Sequence, residues 1–121
     1  MKILITGSRN WSDMEAIEAA MLKFKPDTII EGGANGADKM AKEYAIANNI
    51  AVIEVNAEWA KYGKYAGPIR NAKMISMNPD LVVAFSKDLL EDGGTFDTIN
   101  KAITKGITVW LVKSKYEIKE I

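Results

Sequence analysis

The sequence contains no cysteine and no histidine. Without cysteine there is no disulfide framework and no thiol nucleophile. Without histidine the usual general base and the commonest metal ligand are both missing. Any acid–base chemistry therefore falls to carboxylates, lysine or tyrosine, and nothing spaces ligands for a transition metal. Net charge is absent as well, since sixteen basic residues balance sixteen acidic ones. No overall field recommends nucleic acid or an anionic membrane as a partner, and any phosphate binding has to be local. No apolar run reaches the roughly eighteen residues of a membrane span. The apolar start Ile3-Leu4-Ile5 breaks at once into Thr6-Gly7-Ser8, so no secretory leader is expected and the expected location is the cytoplasm.

Arginine is the scarce residue that informs most. Fourteen of the sixteen basic residues are lysine, and the two arginines, Arg9 and Arg70, fall in or beside loops assigned to one end of the sheet. The planar guanidinium fork suits bidentate recognition of phosphate or carboxylate, whereas lysine is the generic surface charge.

What is present fits one domain spanning residues 1–121: 48% of the residues are hydrophobic and 26% charged, enough for a single core. The stretch Ile29-Ile30-Glu31-Gly32-Gly33-Ala34-Asn35-Gly36-Ala37-Asp38 reads as the end of a buried strand, a glycine-rich turn and a helix start. Such a junction either cradles an anion on backbone N–H groups and the helix dipole or simply permits a tight turn. Two further junctions, Thr6-Gly7-Ser8-Arg9 and Asp92-Gly93-Gly94-Thr95, share its character, and the repetition favours the cradle.

Around these junctions the chain alternates strand and helix. Lys2 to Ile5, Thr28 to Glu31, Ala51 to Val55, Leu81 to Phe85 and Thr108 to Val112 read as strands. A first helix is capped by Ser12-x-x-Glu15 with Met14, Ile17, Met21 and Phe24 inward, and Trp11 either staples its start or lines a ligand site. A second helix runs from Ala37 to about Asn48, with Met40, Ala41, Tyr44 and Ala45 inward. Gly67-Pro68 opens a third helix with Ile69, Ala72 and Ile75 inward and Arg70 in its first turn, a position unfavourable for a cation unless an anion or an acidic partner is near. The last helix turns Phe96, Ile99, Ala102 and Ile103 inward and stops at Gly106. The loop from Asn56 to Gly67, with Trp59, Tyr62 and Tyr65, is longer than a connection requires. It is either functional or a short extra helix that packs Trp59 on the core. The tail from Tyr116 to Ile121 is a short edge strand or a frayed end. The order predicts an α/β, three-layer open parallel sheet of about five strands with helices on both faces, and a ligand site beyond the carboxyl ends of the strands.

Contacts for an anion are expected from N–H groups at Gly7-Ser8, Gly33 to Gly36 and Gly94-Thr95, from Arg9 or Arg70, and from the Ser8 and Thr95 hydroxyls. Gly32, Ala34, Asn35, Asn71 and Gly93 complete the expected binding set. Four carboxylates stand out. Glu31 ends a strand, where it binds a ribose hydroxyl or caps a turn; Asp38 and Asp97 sit in first turns, where the helix dipole alone accounts for an acid; Glu58, beside Trp59, is a base in an enclosed loop or a solvated acid. Magnesium riding on a phosphate ligand is the one metal partner left open, and no cofactor is required.

Taken together, Ile5-Thr6-Gly7-Ser8-Arg9-x-Trp11, Glu31-Gly32-Gly33-Ala34-x-Gly36-Ala37-Asp38, Ala66-Gly67-Pro68-Ile69-Arg70-Asn71 with Met74, and Gly93-Gly94-Thr95-x-Asp97 resemble the SLOG superfamily. The likeness is to its small YspA-like, YpsA-related branch, with LOG-type phosphoribohydrolases and DprA more distant. The resemblance implies a Rossmann-like fold, a purine nucleotide or an ADP-ribose or NAD-derived ligand, and a homodimer. It also implies either a sensor or sequestering role or, as an alternative, cleavage of a nucleoside monophosphate by Arg70 with Asp97 or Glu58. A DprA-like, DNA-associated module is a third reading, against which the neutral charge balance counts. Here the catalytic glutamate slot of the LOG motif holds Thr98, with Asp97 one position early. One helical position is a rotation of about 100°.

Overall fold

The computed structural model describes all 121 residues. Six short runs form strands: β1 (Lys2–Gly7), β2 (Thr28–Glu31), β3 (Ala51–Glu54), β4 (Leu81–Phe85), β5 (Thr108–Ser114) and β6 (Glu117–Glu120). They lie in one sheet in the order β3-β2-β1-β4-β5-β6. The first five strands are parallel. The tail is the edge strand of the two readings given for it: β6 runs antiparallel to β5. Its turn is closed by the Ser114 hydroxyl accepting from Tyr116 N at 3.1 Å, and it covers the edge that β5 would otherwise leave unpaired.

The helices are α1 (Met14–Phe24), α2 (Ala37–Ala47), the one-turn α3 (Trp59–Tyr62), α4 (Ala66–Ser76) and α5 (Gly93–Thr104). Alternation along β1 and β4 sends Ile3, Ile5, Leu81, Val83 and Phe85 to one face, where they meet Ile17 and Met21 of α1 and Ala41 and Ala45 of α2. Leu4, Val82 and Ala84 go to the other face and meet Met74 and Ile75 of α4 and Ile99 and Ala102 of α5. Strands covered on both faces need apolar residues at every position, so β4 is buried throughout. The result is the expected three-layer α/β architecture, with six strands rather than about five. No helix is long and apolar enough to cross a membrane.

Several local expectations need correction. The cap of α1 is Asp13, whose carboxylate accepts from Ala16 N at 3.2 Å, rather than Ser12, because the helix starts one residue later than the capping-box pattern suggests. Of the readings given for Trp11, packing holds and needs no correction: it meets Phe85 edge-on with ring centroids 5.6 Å apart. The inward faces of α4 and α5 are rotated from the apolar stripe: Asn71, Thr95 and Thr98 are buried, whereas Ile69, Ala72, Phe96 and Ile103 are exposed. The loop after β3 does form a short helix, but α3 buries none of its residues and Trp59 remains 51% exposed.

Candidate functional site

The strand order decides where the glycine junctions meet. With β1 central, β2 on one side and β4 on the other, the loops after these three parallel strands stand side by side at one edge of the sheet. The direction of winding reverses between β1 and β4, and the crevice that this opens is where such sheets take ligands. Two cavities share Arg9, Ala34 and Arg70 as walls. The inner one, of about 260 Å³, runs between Thr6 and Gly7, Asp38, Asn71 and the segment Glu91 to Thr95. The outer one, of about 550 Å³, continues over Gly32, Gly33 and Asn35 to Asn56, Ala57 and Trp59.

The three junctions turn out to be unequal. At the first, glycine is needed for packing: a Cβ on Gly7 would lie 2.6 Å from both Ala37 Cβ and Phe85 O. Ser8 N donates to Phe85 O at 2.9 Å, the Ser8 hydroxyl accepts from Asn10 N, and the residue lines a separate cavity beside Trp11. At the second junction the protein supplies its own anions. The Asp38 carboxylate accepts from Gly32 N at 3.1 Å and Ala34 N at 3.3 Å, and Glu31 Oε1 accepts from Gly33 N at 2.7 Å. These N–H groups are therefore not free for a ligand, contrary to expectation, because two carboxylates from the same turn reach them first. Gly36, with φ of 77°, lies so close to Ser8 that a Cβ would sit 2.3 Å from its carbonyl oxygen.

At the third junction no carboxylate reaches the N–H groups. The N-cap Asp92 makes no side-chain capping bond; its carboxylate accepts instead from the Ser86 hydroxyl. The N–H groups of Gly93, Gly94 and Thr95 have no partner within the protein, and a Cβ on Gly93 or Gly94 would meet nothing within 4 Å. Neither glycine has a positive φ. Packing and backbone strain thus leave both glycines unexplained, whereas a bound group approaching the free N–H end of α5 would explain them. Thr6 and Thr95 line the same cavity, are 8% and 4% exposed, and have hydroxyls with no hydrogen-bond partner in the protein.

Charge converges on this opening. Arg70 donates from Nε to Asn71 Oδ1 at 2.9 Å and from Nη1 to the Gly32 carbonyl, and neither Arg70 nor Arg9 forms an ion pair with a carboxylate. Burial lowers the Arg70 pKa; Asp38 opposes this and the facing charge of Arg9 adds to it. A guanidinium stays charged under these conditions, so a half-buried cation stands beside a second one with no anion paired to either. Asp38 is pushed up to about 6, chiefly by burial. Glu31, fully buried, is pushed up to about 8 by burial first and then by Glu54 and Asp38, and its Oε2 has no partner. Glu31 caps a turn and lines neither cavity.

The expected site residues separate into two groups. Gly7, Arg9, Ala34, Asp38, Arg70, Asn71, Gly93, Gly94 and Thr95 line the inner cavity, and Gly32, Gly33 and Asn35 the outer one. Ser8, Gly36, Glu58 and Asp97 line neither. Glu58 borders another cavity beneath β3, beside Tyr62 and Ile69. Asp97 is held by Asn71 Nδ2 at 3.0 Å and by Lys101. No group of three acidic side chains is placed to hold a metal ion. The structure adds Thr6, Met74, Glu91 and Asp92 to the inner cavity and Asn56 and Ala57 to the outer. Thr6 and Asp92 stand in the glycine junctions, Met74 in the motif that carries the resemblance and Asn56 after a strand end, so each carried a signal; Glu91 and Ala57 show none in sequence.

A model of the YspA, cpYpsA-related SLOG family matches residues 1–62, a span that holds the first two glycine junctions. The chain belongs to that family. It is also similar to the gene 61 protein of Mycobacterium phage D29, with 33% identity over 118 residues, covering 89% of this chain and 93% of that protein. Membership in a SLOG family points to nucleotide-related binding or processing.

Proposed function

We propose that the protein binds a nucleotide or nucleotide-derived molecule, of the purine nucleotide or ADP-ribose type, and holds its phosphate in the inner cavity. The observation that carries this reading is the pairing of Arg9 and Arg70, the two arginines of the chain, on one cavity wall without a carboxylate partner. Opposite them stand the open N–H groups of α5 and the unpartnered Thr6 and Thr95 hydroxyls. A phosphate offers the negative charge and acceptor oxygens that these groups lack, and charge-assisted bonds from guanidinium to phosphate are among the strongest available. The role is that of a sensor or sequestering protein. Of the two carboxylates expected to serve cleavage of an N-glycosidic bond, Asp97 is engaged by Asn71 and Lys101, and neither it nor Glu58 lines the two cavities.

The test is incubation of the pure protein with nucleoside monophosphates, NAD and ADP-ribose, followed by mass spectrometry of bound and free fractions. An intact nucleotide retained by the protein is the expected result. Free base in the unbound fraction would replace the binding role with hydrolysis, and retention of none of these compounds would overturn the ligand class.

A further inference from the structure

Beyond the phosphate site, the wall formed after β3 has a chemistry of its own. Connections in such folds usually take about 2–6 residues, yet here Val55 to Tyr65 separate β3 from α4 and include a helix that buries none of its residues. Packing therefore does not account for the segment. What it does is set Trp59 at the rim of the outer cavity. The edge of the indole rests against Gly67, where a Cβ would lie 3.4 Å from the ring, while half of the residue remains open. The Asn35 amide and the indole N–H have no hydrogen-bond partner in the protein, and Asn56 uses only its Nδ2, toward Glu54. One cavity is thus lined by a half-exposed aromatic ring and by amide groups with unused hydrogen-bonding atoms, and it joins the inner cavity through Arg9, Ala34 and Arg70.

We infer that the outer cavity is the base subsite: the ligand lies with its phosphate at α5 and its heteroaromatic base stacked on Trp59, its edge facing Asn35 and Asn56. This rests on the phosphate-binding reading above. Aromatic stacking is tolerant of base identity, because every base has a π-face. Trp59 therefore supplies affinity, and the two asparagines supply choice among bases.

The experiment is calorimetric titration with AMP, GMP, CMP and UMP, and with ribose 5-phosphate as the probe that lacks a base. It is run on the wild type, on Trp59→Leu, which keeps apolar bulk, and on Trp59→Phe, which keeps a ring. At least one monophosphate is expected to bind about tenfold or more tighter than ribose 5-phosphate. Trp59→Leu is expected to erase that advantage, Trp59→Phe to retain part of it, and neither to alter ribose 5-phosphate binding. Fluorescence of the half-exposed Trp59 is expected to be quenched by the preferred monophosphate and not by ribose 5-phosphate. Equal affinity for the monophosphates and ribose 5-phosphate, or an equal loss of both in Trp59→Leu, would overturn the base subsite while leaving the phosphate reading in place. Failure of every probe to bind would overturn the base subsite, and failure of ADP-ribose and NAD as well would overturn the phosphate reading.

Discussion

Asn71 donates from one amide nitrogen to Asp97 Oδ2 at 3.0 Å and to the Gly94 carbonyl at 3.3 Å, while its oxygen accepts from Arg70 Nε. One buried side chain therefore ties α4, the first turn of α5 and the guanidinium together. Asn71→Ala is expected to lower stability by about 1–3 kcal/mol, the cost of leaving buried polar groups unpaired, and to weaken phosphate binding as well. Chemical denaturation with a parallel ligand titration checks both. Unchanged stability would mean that the network is not formed.

The two arginines are expected to behave differently. Arg9 is exposed and donates no hydrogen bond within the protein, so Arg9→Ala is expected to leave the unfolding midpoint unchanged and to weaken phosphate-ligand binding by about tenfold or more. Arg70→Ala removes bonds to Gly32 and Asn71, and both stability and affinity are expected to fall. Arg70→Lys cannot restore the forked geometry. Calorimetry on the three variants distinguishes these roles; equal stability losses for Arg9→Ala and Arg70→Ala would contradict them.

Glu31 gives the fold a pH dependence with a definite sign. The unfolded chain releases this proton near 4.5, whereas the folded chain keeps it to about 8. Between those values the unfolded state binds fewer protons, so stability is full below about pH 4.5, falls as pH rises to about 8 and then levels. Asp38, raised from 3.8 to about 6, adds a decline of the same sign over its own window. Glu31→Gln keeps an acceptor for Gly33 N and a neutral group beside Glu54. It is expected to flatten the decline between about pH 6 and 8 and to be the more stable form at pH 9. Urea unfolding across that range measures it. A variant less stable than wild type at pH 9 would show that the fold stabilises the charged carboxylate rather than the neutral acid.

Glycines that look alike in sequence are expected to respond in opposite ways. Gly36→Ala places a methyl against Ser8 O on a backbone with φ of 77°, at an expected cost of about 2 kcal/mol or more. Gly94→Ala meets nothing and is expected to keep or raise stability by a few tenths of a kcal/mol to about 1 kcal/mol. Thermal unfolding of the pair decides; a destabilised Gly94→Ala would mean that this glycine serves packing.

The strands and layers were legible because a parallel sheet covered on both faces forces apolar runs such as Leu81 to Phe85. The faces of α4 and α5 were not, because a period-3.6 reading assigns apolar residues inward. At the carboxyl edge of the sheet the interior instead takes Asn71, which bonds Gly94 and Asp97 of α5, Thr98, which bonds the Gly94 carbonyl of its own helix, and Thr95, whose hydroxyl has no partner. The convergence of Arg9 and Arg70 was visible from their loops. The closure of the second junction by Glu31 and Asp38 was not, since a buried carboxylate and a solvated one are written with the same letter. Likewise Trp59 was conspicuous in its loop, but whether it packs or opens onto a cavity depends on neighbours that only the tertiary fold supplies.

The pairing of β1 with β4 also bears on how the molecule is made. Ile3 opposes Leu81, and the bond from Lys2 N to Asp80 spans 78 residues of chain. The crevice between these strands cannot exist until the fourth strand has left the ribosome, and closing so long a loop is slow and costs entropy before contacts offset it. Arg9 is synthesised early, yet it waits for most of the chain before its cavity has a second wall. A ligand of the proposed kind would therefore have nothing to grip during synthesis until this late step and would act only on the assembled domain, stabilising it against reopening.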